Sequence, residues 1–332
     1  MNGLEAACLA LFDTSIGSRL EPGWAAGVIQ QRTRTIKAGS MVYVECFPVW
    51  NTNTAARVRS EAAKEAHREA QRRMDEKNAK KKLIRKMNAN FGRGDLFITC
   101  EHAPEKQAQD AKAAQRIMQN FLRRVKTIRR RRGLPDMRYI YVIEQTNSRV
   151  YGTRFHYHVI MSGDGVDRDE IEQAWTRGKG GFCNSRRTLP DEKGLARLAC
   201  YMLADKERRT PETDGKNPQK KAGRRWNCSK NLIEPVESVA DKKISIRKAG
   251  QIAVSVLEEA GKIFGKLYPD CELIECEVKR SQWAAGVYIS AELHRVTADR
   301  KERAIKKDHW KKRNQRSRTC RKHVANNGRI IS

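Results

Sequence analysis

The sequence predicts an α+β fold: a central, mainly antiparallel sheet with packed helices, preceded by a long N-terminal helix and followed by a small α+β extension with a basic tail. Three observations predict it. Between residues 95 and 207 apolar segments follow in the order strand, helix, strand, strand, helix, strand, helix, an order that packs helices on a hairpin-built sheet. A long stretch without Pro or Gly precedes them. Beyond a polar break at 208–226, a helix and two strands follow.

Residues 1–53 are mixed, and within them only Val42-Tyr43-Val44-Glu45-Cys46-Phe47 is β-branched and apolar enough for a strand, ended by Pro48. Residues 54–89 are rich in Ala, Glu, Lys and Arg, which favours a long helix. Its apolar stripe is thin and mostly Ala, so the helix is expected to be exposed. Gly92 and Gly94 end it, and residues 95–101 read as the first strand of the main domain. In 111–132 the spacing of Ala114, Ile117, Met118, Phe121, Leu122 and Val125 is helical, and Gly133 and Pro135 stop it. Residues 137–145 and 155–161 read as strands of an antiparallel hairpin, joined by a polar turn with Asn147, Ser148 and Gly152. Asp167-Arg168-Asp169-Glu170 has capping-box spacing ahead of Ile171, Ala174 and Trp175, and Gly178 stops that helix. A fourth strand over 182–189 and a helix over 191–207 complete the domain. Residues 252–267 then read as helix, and 273–278 and 287–293 as strands. The expected organisation is an N-terminal segment 1–53, a helical region 54–92, the main domain 93–210, a linker or loop 211–240, a small α+β extension 241–299 and a basic tail 300–332.

The 332 residues carry a formal net charge of +29, far more than solubility requires, so the expected partner is a polyanion and nucleic acid above all. The helix over 54–89 is then either a solvated spacer or a DNA-facing surface, and the tail, dense in Lys and Arg, binds phosphates without reading sequence. No apolar run approaches the roughly 18 residues of a spanning helix, and no basic-then-apolar leader opens the chain. A soluble, cytoplasmic protein without membrane partners is expected. The nine cysteines form no C-x-x-C pair and are odd in number, so reduced thiols are expected rather than a zinc site or disulfide framework.

Chemistry concentrates on two segments. Alternate residues of a strand share a face, so His156 and His158 direct both imidazoles to one side, within reach of one ion. With the hairpin turn centred near Val150, Glu144 lies across from His156 on that face and is the expected third ligand; a one-residue slip would present Gln145 instead. Two imidazoles, a carboxylate and open positions suit Mn²⁺ or Mg²⁺ on a scissile phosphate. On the 191–207 helix, Tyr201 falls off the apolar side made by Leu195, Leu198, Ala199 and Met202, which frees its hydroxyl to act as nucleophile. Arg197 and Asp205 flank it at i−4 and i+4, Arg197 as a candidate phosphate contact and Asp205 equally as a neutralising surface partner.

In order, Leu96-Phe97-Ile98-Thr99, Tyr141-Val142-Ile143-Glu144, Arg154-Phe155-His156-Tyr157-His158-Val159-Ile160, Trp175 with Gly178, and the segment from Leu195 through Tyr201 to Leu203 resemble the motifs of a known family. It is the rolling-circle replication initiators of the His-hydrophobe-His (HUH) endonuclease superfamily, of phage and plasmid type. The resemblance covers residues 95–207 and implies an HUH nuclease-like fold for 93–210. It implies a metal on His156, His158 and Glu144 and attack by Tyr201 on single-stranded origin DNA. The products would be a 5′-phosphotyrosine and a free 3′-hydroxyl for DNA replication by host polymerase and helicase in a bacterial cytoplasm. The family usually has a lysine three residues after the tyrosine; here Ala204 stands there and Lys206 follows at plus five, a candidate phosphate contact that points away from Tyr201 on a regular helix. Asp205 stands where a second tyrosine would, implying a single-tyrosine mechanism. Residues 226–232 and Pro235 resemble a segment that follows the nuclease domain in phage-type initiators, with no chemistry assigned. No phosphate-binding Gly-rich loop marks an attached helicase. Two other readings share the charge and the His pair: a relaxase- or transposase-like strand transferase, and a non-enzymatic nucleic-acid-binding protein. Relaxases generally show a three-histidine cluster, absent here, and the small transposases are much shorter.

Overall fold

The computed structural model describes residues 28–50, 61–148, 152–176, 181–203, 226–280 and 285–296. Among them lie ten strands and six helices: β1 (Val28–Ala38), β2 (Met41–Trp50), α1 (Glu61–Asn90), β3 (Leu96–Glu101), α2 (Ala111–Arg131), β4 (Tyr139–Ser148), β5 (Gly152–Met161), α3 (Arg168–Thr176), β6 (Phe182–Arg187), α4 (Ala196–Leu203), β7 (Asn227–Cys228), β8 (Val236–Asp241), α5 (Ile246–Val254), α6 (Val256–Leu267), β9 (Cys271–Arg280) and β10 (Val287–Arg295). The fold is α+β, with two antiparallel five-stranded sheets ordered β8-β1-β2-β10-β9 and β6-β3-β5-β4-β7. Residues 1–27, the tail beyond 296, residues 211–225 of the 211–240 segment, Gly178, the turn at Val150, and Ala204, Asp205 and Lys206 lie outside the described residues.

Four strands of the second sheet, β3 to β6, come from the stretch expected as the main domain, and β7 joins them from beyond it. α2 and α3 cover one side, where Met118, Phe121, Val125 and Trp175 pack on Ile98, Phe155, Tyr157 and Val159. Asp110 caps α2 by accepting the Ala113 N–H at 2.6 Å, and Asp167 accepts the Asp169 N–H at the start of α3. The other side is apolar only towards one end, where Phe97, Ile140 and Ile160 meet α1 and α4.

Several boundaries differ from expectation. The N-terminal segment and the C-terminal extension are not separate units: β1 pairs with β8 and β2 with β10, which β9 flanks, and over this first sheet α5 and α6 close a core of Val44, Ile252, Phe264 and Ile289. The 211–240 segment, expected as a linker, supplies β7 and most of β8. β2 continues through Pro48 because its pairing with β10 ends at Cys46, so the missing N–H costs no bond on that side. Residues 252–267 belong to two helices, α5 and α6, because Ser255 leaves helical geometry at φ −133 and ψ 80.

α1 is the largest correction. Its C-terminal half is not exposed but lies between the sheets: Leu83 and Met87 are fully buried against the second, and Ile84 and Ala89 pack on Ile36, Met41 and Tyr43 of the first. Burial of two such side chains contributes about 1.5–3 kcal/mol each. Polar ties complete the contact. Glu45 of β2 is met by Arg85 at 2.6 Å and Lys81 at 3.1 Å, and Asn88 donates to the Tyr43 hydroxyl at 2.7 Å. The seven described cysteines are free thiols; Cys100 and Cys183 face each other across β3 and β6 at 3.1 Å, with burial holding the Cys100 thiol well above its ordinary range.

Candidate functional site

β5 is the middle strand of the second sheet, and the hairpin register sets Glu144 opposite His156. Gln145 pairs with Phe155 and so belongs to the other face, which removes it as the ligand. On its other side β5 pairs with β3 so that Glu101 also lies opposite His156, and Thr99 lies opposite His158. One sheet face therefore presents, in two adjacent rows, Glu101, His156 and Glu144, then Thr99, His158 and Val142. The rows beyond are apolar and covered by α1 and α4; these two stand at the open end.

His158 is only 5% exposed. Its Nε2 lies 3.4 Å from Glu144 Oε2, and its Nδ1 lies 3.4 Å from Thr99 Oγ1. His156 turns the other way, with Nδ1 3.4 Å from Glu101 Oε2, and Arg154 Nε approaches the other Glu101 oxygen at 3.3 Å. Each imidazole thus faces its own carboxylate, and among the described residues no three His, Cys, Asp or Glu side chains converge as a formed metal site. The donor types fit a divalent cation, since two imidazoles and two carboxylates share one face. Ligation by both histidines requires their side chains to turn towards each other.

Tyr201 reaches this face from α4. Its ring meets the His158 ring edge-on at 5.4 Å, and Phe97 completes the cluster, stacked on His158 at 6.2 Å and edge-on to Tyr201 at 5.9 Å. Such ring contacts fix orientation as well as burying area. Tyr201 nevertheless remains 53% exposed, so its ring is held while its polar end is accessible. The helix that carries it starts at Ala196 rather than at 191, because Asp191 and Gly194 close a tight turn with Gly194 at φ +67. Asn88 of α1 accepts the Leu195 N–H at 2.7 Å, and Leu195, Ala199 and Met202 are buried beneath. α1 therefore sets the height of Tyr201 over the sheet.

Beside Tyr201 runs an open groove of about 430 Å³, lined by Phe97, Leu189, Leu198 and the arginines 186, 187 and 197. Arg187 is occupied within the fold, donating to the carbonyls of Gly94, Gly163 and Val166. Arg197, expected as a phosphate contact, and Arg186, which sequence reading missed, are exposed on the groove. Glu101 and Thr99 were missed as well; their signal is that Phe97, Thr99 and Glu101 alternate along β3, but only the strand order places them beside the histidines. No protein-family model, curated protein or solved structure matches the chain.

Proposed function

We propose that the chain is a replication-initiation endonuclease of the HUH type, which nicks single-stranded DNA at an origin through Tyr201. The contact of the Tyr201 ring with His158, on a sheet face that also carries His156, Glu144 and Glu101, is the observation that supports this reading most. A divalent ion, Mn²⁺ or Mg²⁺, when bound would draw charge from the scissile phosphate. His156, His158 and Glu144 would hold it. Thr99 and Glu101 orient the imidazoles from behind, as outer partners of metal-ligating histidines do. Arg186 and Arg197 bind flanking phosphates in the groove, and Phe97 keeps Tyr201 at the edge of His158.

The reaction exchanges one phosphodiester for another. The Tyr201 oxygen forms a bond to phosphorus as its proton leaves, and the bond to the 3′-oxygen of the preceding nucleotide breaks, that oxygen taking a proton. A 5′-phosphotyrosine and a free 3′-hydroxyl result, the latter a primer for host polymerase working with host helicase in the bacterial cytoplasm. The reversed step rejoins the strand. Among the described residues no helix is long and apolar enough to cross a membrane. Incubation with labelled single-stranded DNA and Mn²⁺ should give a covalent adduct that chelation abolishes. An adduct that persists in Tyr201→Phe would sink the assignment, and salt-sensitive binding with no cleavage by wild type would favour a plain DNA-binding protein.

A further inference from the structure

α2 covers the side of the second sheet opposite the His156 and Tyr201 face. Its 21 residues include eight Lys or Arg and no acid. Two of these side chains are used inside the fold: Arg129 is buried, and Arg124 donates to the Ala174 carbonyl at 2.7 Å. Lys112, Arg116, Arg123, Lys126 and Arg130 are exposed. At 3.6 residues per turn these five fall within about 80° of arc, and at 1.5 Å per residue the row is about 27 Å long. Lys126 lies 5.6 Å over the Tyr139 ring; among the described residues none of the five pairs with a carboxylate. Like charges three and four residues apart destabilise a helix, and no acid interleaves here to relieve them. Of the row, Arg123 borders a groove of about 700 Å³ between α2 and α3, where the acid Glu170 is already held by Arg132 at 2.6 Å.

We propose that this row is a second nucleic-acid interface, which lies along the phosphate backbone of double-stranded DNA. A duplex carries one charge per about 1.7 Å of axis, both strands counted, so a row of about 27 Å spans a length that holds some sixteen phosphates, more than the five side chains need. Single strands are gripped by exposed aromatic rings on which bases stack. α2 exposes none, its Phe121 being buried, whereas the opposite face exposes Tyr201. Lysines and arginines in a bare row position a backbone without reading bases. The choice of DNA rests on the nuclease reading; the row and its demand for a polyanion do not.

The test uses the full chain and a labelled duplex of arbitrary sequence, titrated with salt. The variant Lys112→Gln/Arg116→Gln/Arg123→Gln/Lys126→Gln/Arg130→Gln removes the row at little cost in helix propensity. The control Lys242→Gln/Arg247→Gln/Lys248→Gln/Lys262→Gln/Lys266→Gln removes the same charge from the first-sheet side. The row variant should lower the slope of log K against log salt by up to about 4.5, at about 0.9 per phosphate contact, while the control lowers it far less. Equal slopes for the two variants overturn the proposal, as does a row variant that loses single-strand or duplex-RNA affinity but keeps duplex DNA. If the fivefold variant fails to fold, Arg116→Gln/Arg123→Gln/Arg130→Gln should lower the slope by up to about 2.7, and an unchanged slope there overturns it too. The covalent adduct should survive in the row variant. An adduct absent from wild type and variants alike refutes the nuclease reading and leaves the row to be decided by the slopes.

Discussion

Glu45 offers a measurement of how firmly α1 is clamped between the sheets. Its side chain is 3% exposed, with Arg85 Nη2 at 2.6 Å, Lys81 Nζ at 3.1 Å and Arg34 Nη1 at 3.6 Å. Burial by itself would raise its pKa, but Arg85 and Lys81 outweigh it and hold the carboxyl at about 2, against an ordinary 4.5. A depressed folded value means that the unfolded chain takes the proton first as acid is added. The carboxylate's contribution is therefore complete above pH 4.5 and is lost as pH falls towards about 2. The gap corresponds to roughly 3 kcal/mol. Glu45→Gln should be less stable at neutral pH by about that amount, and its urea midpoint should fall less steeply between about pH 5 and 2.5. The two proteins share every other carboxylate, so the difference between their curves isolates this one. Parallel curves over that range would refute the clamp.

Three further outcomes test the site and its support. Thr99→Val removes the hydroxyl behind His158 Nδ1 and should weaken Mn²⁺ binding by about 10–100-fold, read by calorimetry, with the urea midpoint little changed. Glu144→Gln should cost adduct formation more than Glu101→Gln does, and saturating Mn²⁺ should rescue only the latter; the reverse ranking would make Glu101 the ligand. Arg129→Met strips the donors from the Pro135, Ser162 and Asp164 carbonyls and should destabilise by about 2–4 kcal/mol. The exposed Arg131→Met should stay within about 0.5 kcal/mol of wild type.

The second sheet was legible in the sequence because its strands alternate and its helices carry full apolar faces. Of the first sheet, β2, β9 and β10 were legible as strands, but β1 and β8 were not; β1 hides because it buries polar side chains. Gln31, Thr33 and Thr35 are all nearly inaccessible, with Thr35 bonded to the Tyr268 hydroxyl at 2.7 Å and Gln31 accepting from the Cys46 thiol. A strand whose inward residues are Gln and Thr gives no period-two apolar signal, and one of its two partners, β8, lies some 200 residues away in sequence. α1 misled for a related reason. Only its last turns carry Leu83, Ile84 and Met87, while Lys81, Arg85 and Asn88 hold the helix in place through partners on β2 and through Leu195, just ahead of α4.

The site divides along the same line. The pairing of Glu144 with His156 was readable because a hairpin fixes register locally, whereas Glu101 needs a neighbour brought in by the crossover through α2. The added carboxylate changes what the chemistry requires. With one acid on the face, the two histidines and Glu144 form a single ligand set; with two, each histidine has an acidic partner of its own. An ion must compete with those pairings to draw His156 and His158 together. Removal of Glu101 therefore frees His156 at the same time as it loosens its orientation. The two effects oppose each other in metal affinity, so Glu101→Gln is expected to be the milder of the two carboxylate variants.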